Sequence, residues 1–145
     1  VNKDGYLFQS KSFDYTESSE NLVIDIYLDP IAKNQSVELN NIFFETAKWD
    51  LKEKSKTELN ILIKFLKENP KLSIEIGGHT DDVGSEANNK KLSQQRASSV
   101  SSFLTEQGID KTRLQSVGYG ESQPKVVNDS EQNRQANRRI EFKIL

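Results

Sequence analysis

Two residues in the middle of the chain set opposite charges at a spacing that a binding site could use. Asp81 stands in the turn-rich run Gly77-Gly78-His79-Thr80-Asp81-Asp82-Val83-Gly84-Ser85, and Arg96 follows 15 positions later (96 − 81). The segment around Arg96 reads as a helix from about Glu86 to Gln107. At about 1.5 Å per residue, Arg96 then lies roughly 15 Å along the axis. The two meet only if the loop folds back over the helix. If they converge without neutralising each other, the site offers a carboxylate beside a guanidinium. The matching ligand is a zwitterion, with an ammonium for Asp81 and a carboxylate for Arg96, because arginine's planar fork suits both carboxylate oxygens. Gly77, Gly78 and Gly84 would let backbone N–H groups approach as further donors. The plainer alternative is an ordinary Asp–Arg salt bridge beside a glycine turn. The residues alone leave both open.

Other sets carry less. His79, Asp81 and Asp82 would suit a metal or acid–base work, but sequence neighbours point apart, and a structural His79 bonded to loop backbone is the simpler reading. Arg138-Arg139 could contact phosphate, yet on an alternating strand one of them shares the wet face of Glu141 and Lys143. The lysines from Lys52 to Lys71 lie among glutamates and read as the solvated face of a helix. Trp49 reads as a packing residue, with sugar stacking as the alternative. A hydrolase would need a carboxylate pair or a nucleophile with its base. Asp81 and Asp82 are the only obvious pair, with Glu45 a distant third. The chain has no Cys, which excludes disulfides, a thiolate nucleophile and a Cys-based zinc site.

The elements that must position these residues fit one domain of 145 residues. Lys+Arg number 20 against Asp+Glu 22, so a broadly basic nucleic-acid surface is not expected. No run approaches the roughly 20 apolar residues of a membrane-spanning helix. A chain opening on Val1 is expected to be a mature protein or a piece of a longer one. Leu22, Ile24, Ile26 and Leu28 alternate as a strand that Asp29-Pro30 ends. Residues 1–35 are expected to be a tail, the remnant of a preceding domain, or an added edge strand. The domain proper is expected over 36–145. Val37–Phe44 reads as a strand. Asp50 with Glu53 resembles a capped helix start, and Leu51, Leu59, Leu62, Ile63 and Leu66 make one apolar face up to Asn69-Pro70. Leu72, Ile74 and Ile76 alternate as a strand. After the second helix come a strand over Leu114–Tyr119, a polar loop through Asn137, and a last strand over Arg138–Ile144. Two helices on one face of a mixed sheet is the economical α+β arrangement.

The stretch after His79 resembles the pattern Asn-x2-Leu-Ser-x2-Arg-Ala-x2-Val-x3-Leu of the peptidoglycan-binding domain of the outer membrane protein A family. Asn89, Leu92, Ser93, Arg96, Ala97, Val100 and Leu104 fill its fixed positions. Gly78-His79-Thr80-Asp81, Gly118-Tyr119-Gly120, Asn137-Arg138-Arg139-Ile140-Glu141 and Asn41-Ile42-Phe43-Phe44-Glu45 are similar to further family motifs, in order from Val37 to Leu145. Asn133-Arg134 departs from the family's usual Gly-Arg. The resemblance implies a βαβαββ fold that binds cell-wall peptidoglycan noncovalently through the diaminopimelate of the stem peptide, with no cofactor. It implies that Asp81 holds the ammonium and Arg96 the carboxylate. Phe44, Glu45, Thr46, Thr80, Asn89 and Leu92 would shape the pocket, with Arg138 nearby. It further implies a place on the periplasmic side of the bacterial outer membrane, reached through another part of the parent chain. A wall hydrolase and an envelope interaction scaffold are the competing readings.

Overall fold

The computed structural model describes residues 5–8, 27–40, 42, 44 and 48–145. Its regular elements are β1 (Ser36–Glu38), α1 (Ser55–Glu68), β2 (Ile74–His79), α2 (Glu86–Glu106), β3 (Leu114–Gly120), α3 (Glu131–Asn137) and β4 (Ile140–Ile144). The sheet order is β1-β4-β2-β3. β2 runs parallel to β3 and antiparallel to β4, which is antiparallel to β1. A parallel pair needs a crossover, and α2 supplies it.

Alternation on the strands decides which face is covered. Ile74 and Ile76 of β2 lie in register with Ile144 and Phe142 of β4, and all four are buried. Leu59, Leu62, Ile63, Phe65 and Leu66 of α1 join them in one cluster with Val100 and Leu104 of α2. The intervening positions Glu75, Glu141 and Lys143 face the other way and stay partly exposed.

α2 lies unusually close to the sheet because two glycines leave room. A Cβ on Gly78 would sit 2.3 Å from the Ser93 carbonyl oxygen, and one on Gly118 would sit 2.3 Å from the Gln94 nitrogen. Side chains take up the contact: Gly118 N–H donates to Gln94 Oε1 at 2.8 Å, and Gly120 N–H to Ser93 Oγ at 2.8 Å. At the far end, Arg113 donates to the carbonyls of Leu66, Asn69 and Leu72. A cation there satisfies the last carbonyls of α1 and opposes its dipole.

Four expectations need correction. α1 starts at Ser55, not Asp50; its N-cap residue Lys54 makes no side-chain cap bond, and Asp50 is exposed. The chain before it turns instead, with Ser55 N–H on the Lys52 carbonyl at 2.9 Å. β1 stops at Glu38, not Phe44. Its partner β4 begins at Ile140, which receives the Leu39 N–H, so β1 has no ladder to follow beyond that point. The last strand likewise starts at Ile140, not Arg138. The polar loop after β3 contains α3, so the described residues hold three helices. Ser130 caps α3 by accepting the Asn133 N–H at 3.2 Å.

The segment before β1 is tied to the core. Leu7 N–H donates to Asp29 O, and Ile31 N–H to Gly5 O, around an antiparallel bridge between Tyr6 and Pro30. Phe8 is 1% exposed and packs between Phe65 and Phe142, with ring centroids 5.6 and 5.7 Å away. Residues 22–26 of the expected early strand lie outside the described residues, and Tyr27 and Leu28 are in no regular element.

Candidate functional site

The buried stripe of α2 changes chemistry along its length. Val100 and Leu104 are apolar and face the core, whereas Asn89, Ser93 and Arg96 are polar and face the carboxyl end of β2 and β3. The chain leaves β2 at His79 and passes directly into Thr80 and Asp81, so strand and helix deliver Asp81 and Arg96 to one place. Both line a cleft of about 860 Å³, together with Phe44, Thr80, Asn89, Leu92 and Arg138. Glu45 and Thr46, the remaining two expected site residues, lie outside the described residues.

Asp81 is 7% exposed and its oxygens are held separately. Oδ1 accepts the Val83 N–H at 3.1 Å, closing the loop on itself. Oδ2 accepts from Arg138, which also donates to Glu131 and Gln135 of α3. The Asp81 carbonyl accepts from Asn89 at 3.3 Å. Arg96 is 8% exposed; its Nε donates to the Lys48 carbonyl at 3.0 Å, and its guanidinium lies 4.9 Å from the Phe44 ring centroid. Burial pulls the Arg96 pKa down, Asp81 pushes it up, and Arg138 pulls it down again. Burial also works against charge on Arg138, but its bonds to Glu131 and Asp81 outweigh that and raise its pKa. One buried carboxylate thus sits under the influence of two guanidiniums. Thr80 lines the cleft and is 4% exposed, and its hydroxyl is buried with no hydrogen-bond partner among the described residues.

The carboxylate neighbours part company. Asp82 is exposed and pairs with Arg134 of α3 at 3.1 Å. His79 leaves the opposite face of β2: its ring stacks on Tyr119 at 5.0 Å, and Nε2 stands 3.4 Å from Glu141. It therefore packs against strand side chains rather than loop backbone. No group of three His, Cys, Asp or Glu side chains among the described residues could hold a metal ion.

The cleft holds residues beyond those expected. Glu131 and Gln135 belong to α3, which lies in the expected loop. Lys91, Val83 and Trp49 also line the cleft, at its exposed margin. Helical spacing of three from Leu92 points to Gln95. The local signal for α3 is its start alone, Ser130 as cap with Glu131 in the first turn.

A mixed four-stranded sheet with helices on one face, and a charged cleft at the end of its central parallel strand, defines an α+β binding domain. The chain belongs to the OmpA family, whose model matches residues 43–138. It is 38% identical over 115 residues to outer membrane porin F of Pseudomonas fluorescens, covering 79% of this chain and 35% of that protein. A MotB-like protein from Desulfovibrio vulgaris superposes with a TM-score of 0.69 at 30% identity, covering 75% of this chain and 71% of that one. The peptidoglycan-associated lipoprotein of Burkholderia pseudomallei superposes with a TM-score of 0.64 at 25% identity, covering 81% and 92%. The chain spans about a third of the length of porin F.

Proposed function

We propose that this domain binds cell-wall peptidoglycan noncovalently and so anchors the outer membrane, or a complex within it, from the periplasmic side. The ligand is the zwitterionic end of diaminopimelate in the stem peptide. Asp81 receives the ammonium on the acceptor sites that Val83 and Arg138 leave open, since an ionised carboxylate offers about four. Arg96 receives the carboxylate. Thr80 gives the ligand a hydrogen bond, and Asn89 holds the Asp81 loop in place.

The observation that carries this reading is the buried Asp81 carboxylate between Arg96 and Arg138 in one cleft. The kinship with a protein named as peptidoglycan-associated supports it. The reading is one of binding, not catalysis: Asp82, the neighbour that would pair with Asp81, turns away to Arg134, and Glu131 of the same cleft is tied to Arg138.

Incubation with purified diaminopimelate-type sacculi tests it. The protein should pellet with the wall and release no soluble fragments. Release of fragments would identify a hydrolase, and failure to pellet would identify a scaffold with other partners.

A further inference from the structure

A second groove of about 550 Å³ runs along the outer face of α2 beside the charged cleft, and Trp49 and Gln95 line both. Trp49 is the only tryptophan of the chain and is 42% exposed. It is not loosely placed. The residue before it, Lys48, gives its carbonyl to Arg96 Nε at 3.0 Å, so the arginine of the cleft also fixes the backbone that carries the indole. Beyond Trp49 the groove presents Gln95, Ser98 and Ser102 over a half-buried Phe103.

An aromatic face beside amide and hydroxyl groups, with the exposed carboxylates of Asp50 and Glu106 at the groove's margin as further acceptors for hydroxyls, is chemistry suited to a sugar ring. Its C–H face stacks on an indole while its hydroxyls and acetamido groups exchange hydrogen bonds. On the reading that the cleft holds the stem peptide, we infer that Trp49 and this groove hold an amino-sugar ring of the glycan strand from which that peptide hangs. The reach agrees. Six residues separate Arg96 from Ser102, about 9 Å along the helix. A peptide of a few residues covers a similar span at roughly 3.3–3.6 Å each. Continuity through Trp49 and Gln95 favours the glycan over an unrelated partner, because one polymer can then fill both grooves at once.

Trp49 emission provides the readout, since no other tryptophan contributes. Three probes are titrated separately: a stem tripeptide ending in diaminopimelate, the peptide-free N-acetylglucosamine–N-acetylmuramic acid disaccharide, and the disaccharide joined to the tripeptide. The disaccharide alone should shift Trp49 emission, and the joined ligand should bind roughly 3- to 10-fold tighter than the tripeptide. Replacing both exposed serines, Ser98→Glu with Ser102→Glu, should erase that increment while the fold, judged by circular dichroism, persists. Equal affinity for the tripeptide and the joined ligand, with no emission change from the disaccharide, would overturn the glycan contact. A silent tripeptide with a responsive disaccharide would instead overturn the diaminopimelate reading and leave the sugar site standing.

Discussion

At the residue scale the chemistry rests on how few groups serve several ends. Asp81 accepts a loop N–H on one oxygen and an arginine on the other, and its partner lies 57 positions away in sequence. That distance explains what was legible. The charge pair Asp81–Arg96 is legible from type and spacing, whereas the family motif alone puts Arg138 near the site. Nothing local announces that Arg138 closes on Asp81. Thr80 offers a direct test of whether its buried, unpartnered hydroxyl turns to the proposed ligand. A buried hydroxyl without a partner stabilises nothing in the free protein. Thr80→Val should therefore leave the urea midpoint unchanged or raise it, while binding of the tripeptide falls about 3- to 10-fold, the worth of one hydrogen bond. A lower midpoint with unchanged binding would make Thr80 structural.

The opposite face of the sheet carries its own residue-level consequence. The Tyr119 hydroxyl bonds to Glu75, and that bond, then burial, then the charges of Glu75 and Glu141, push the phenol up to about 12. The folded pKa is raised above the unfolded one, so the neutral phenol stabilises the fold below pH ~10. That contribution is lost as pH rises through the folded value near 12. Ultraviolet titration should show a tyrosine step near pH 12, and Tyr119→Phe should remove it.

Elements decide whether those residues meet. α2 is the element that carries the site, and its position depends on two missing side chains. A Cβ at residue 118 would stand 2.3 Å from the Gln94 nitrogen and 2.6 Å from its Cα. Helix backbone cannot retreat without tilting Arg96 away from Asp81. Gly118→Ala should cost about 1–3 kcal/mol or more in denaturant unfolding, as overpacking does. It should weaken ligand binding as well, although residue 118 does not line the cleft. A stable, fully binding variant would contradict this role.

The elements also show where sequence reading stops. β2 and α2 were legible because their apolar or motif residues repeat at strand and helix periods. α3 was not, because its one buried residue is Asn137 rather than an apolar anchor. The Asn137 amide accepts from the N–H groups of Lys125 and Val126 and donates to Val126 O and Asn128. A helix fastened by a buried amide leaves no periodic apolar trace. The end of β1 was illegible for another reason: it is set by where β4 begins, a hundred positions further on.

The whole molecule depends on residues that lie before the motif-bearing region. Phe8 completes a cluster with Phe65 and Phe142, so the segment before β1 contributes to the same core as the sheet. Gly5-Tyr6-Leu7-Phe8 reads as a short strand, and Tyr6 does bridge Pro30, but four residues are too few for alternation to show that Phe8 enters the core. Phe8→Ala should lower stability by about 3–5 kcal/mol in denaturant unfolding. Removal of residues 1–35 should cost at least as much, even though the cleft residues begin at Ile42. An unchanged midpoint would make the segment the dispensable tail that its sequence resembles.

The central claim is that one domain presents a carboxylate and a guanidinium, prearranged by β2 and α2, to a zwitterionic wall ligand. The most direct measurement is calorimetry with two tripeptides that differ only in diaminopimelate against lysine, on the parent chain and on Arg96→Ala. Lysine lacks the second carboxylate and would leave Arg96 without its ligand group. The parent should bind the diaminopimelate peptide about 30- to 1000-fold more tightly, corresponding to roughly 2–4 kcal/mol for losing one partner of a buried charge contact. Arg96→Ala should erase most of that preference. Equal binding of the two peptides by the parent, or an undiminished preference in a folded Arg96→Ala variant, would contradict the account.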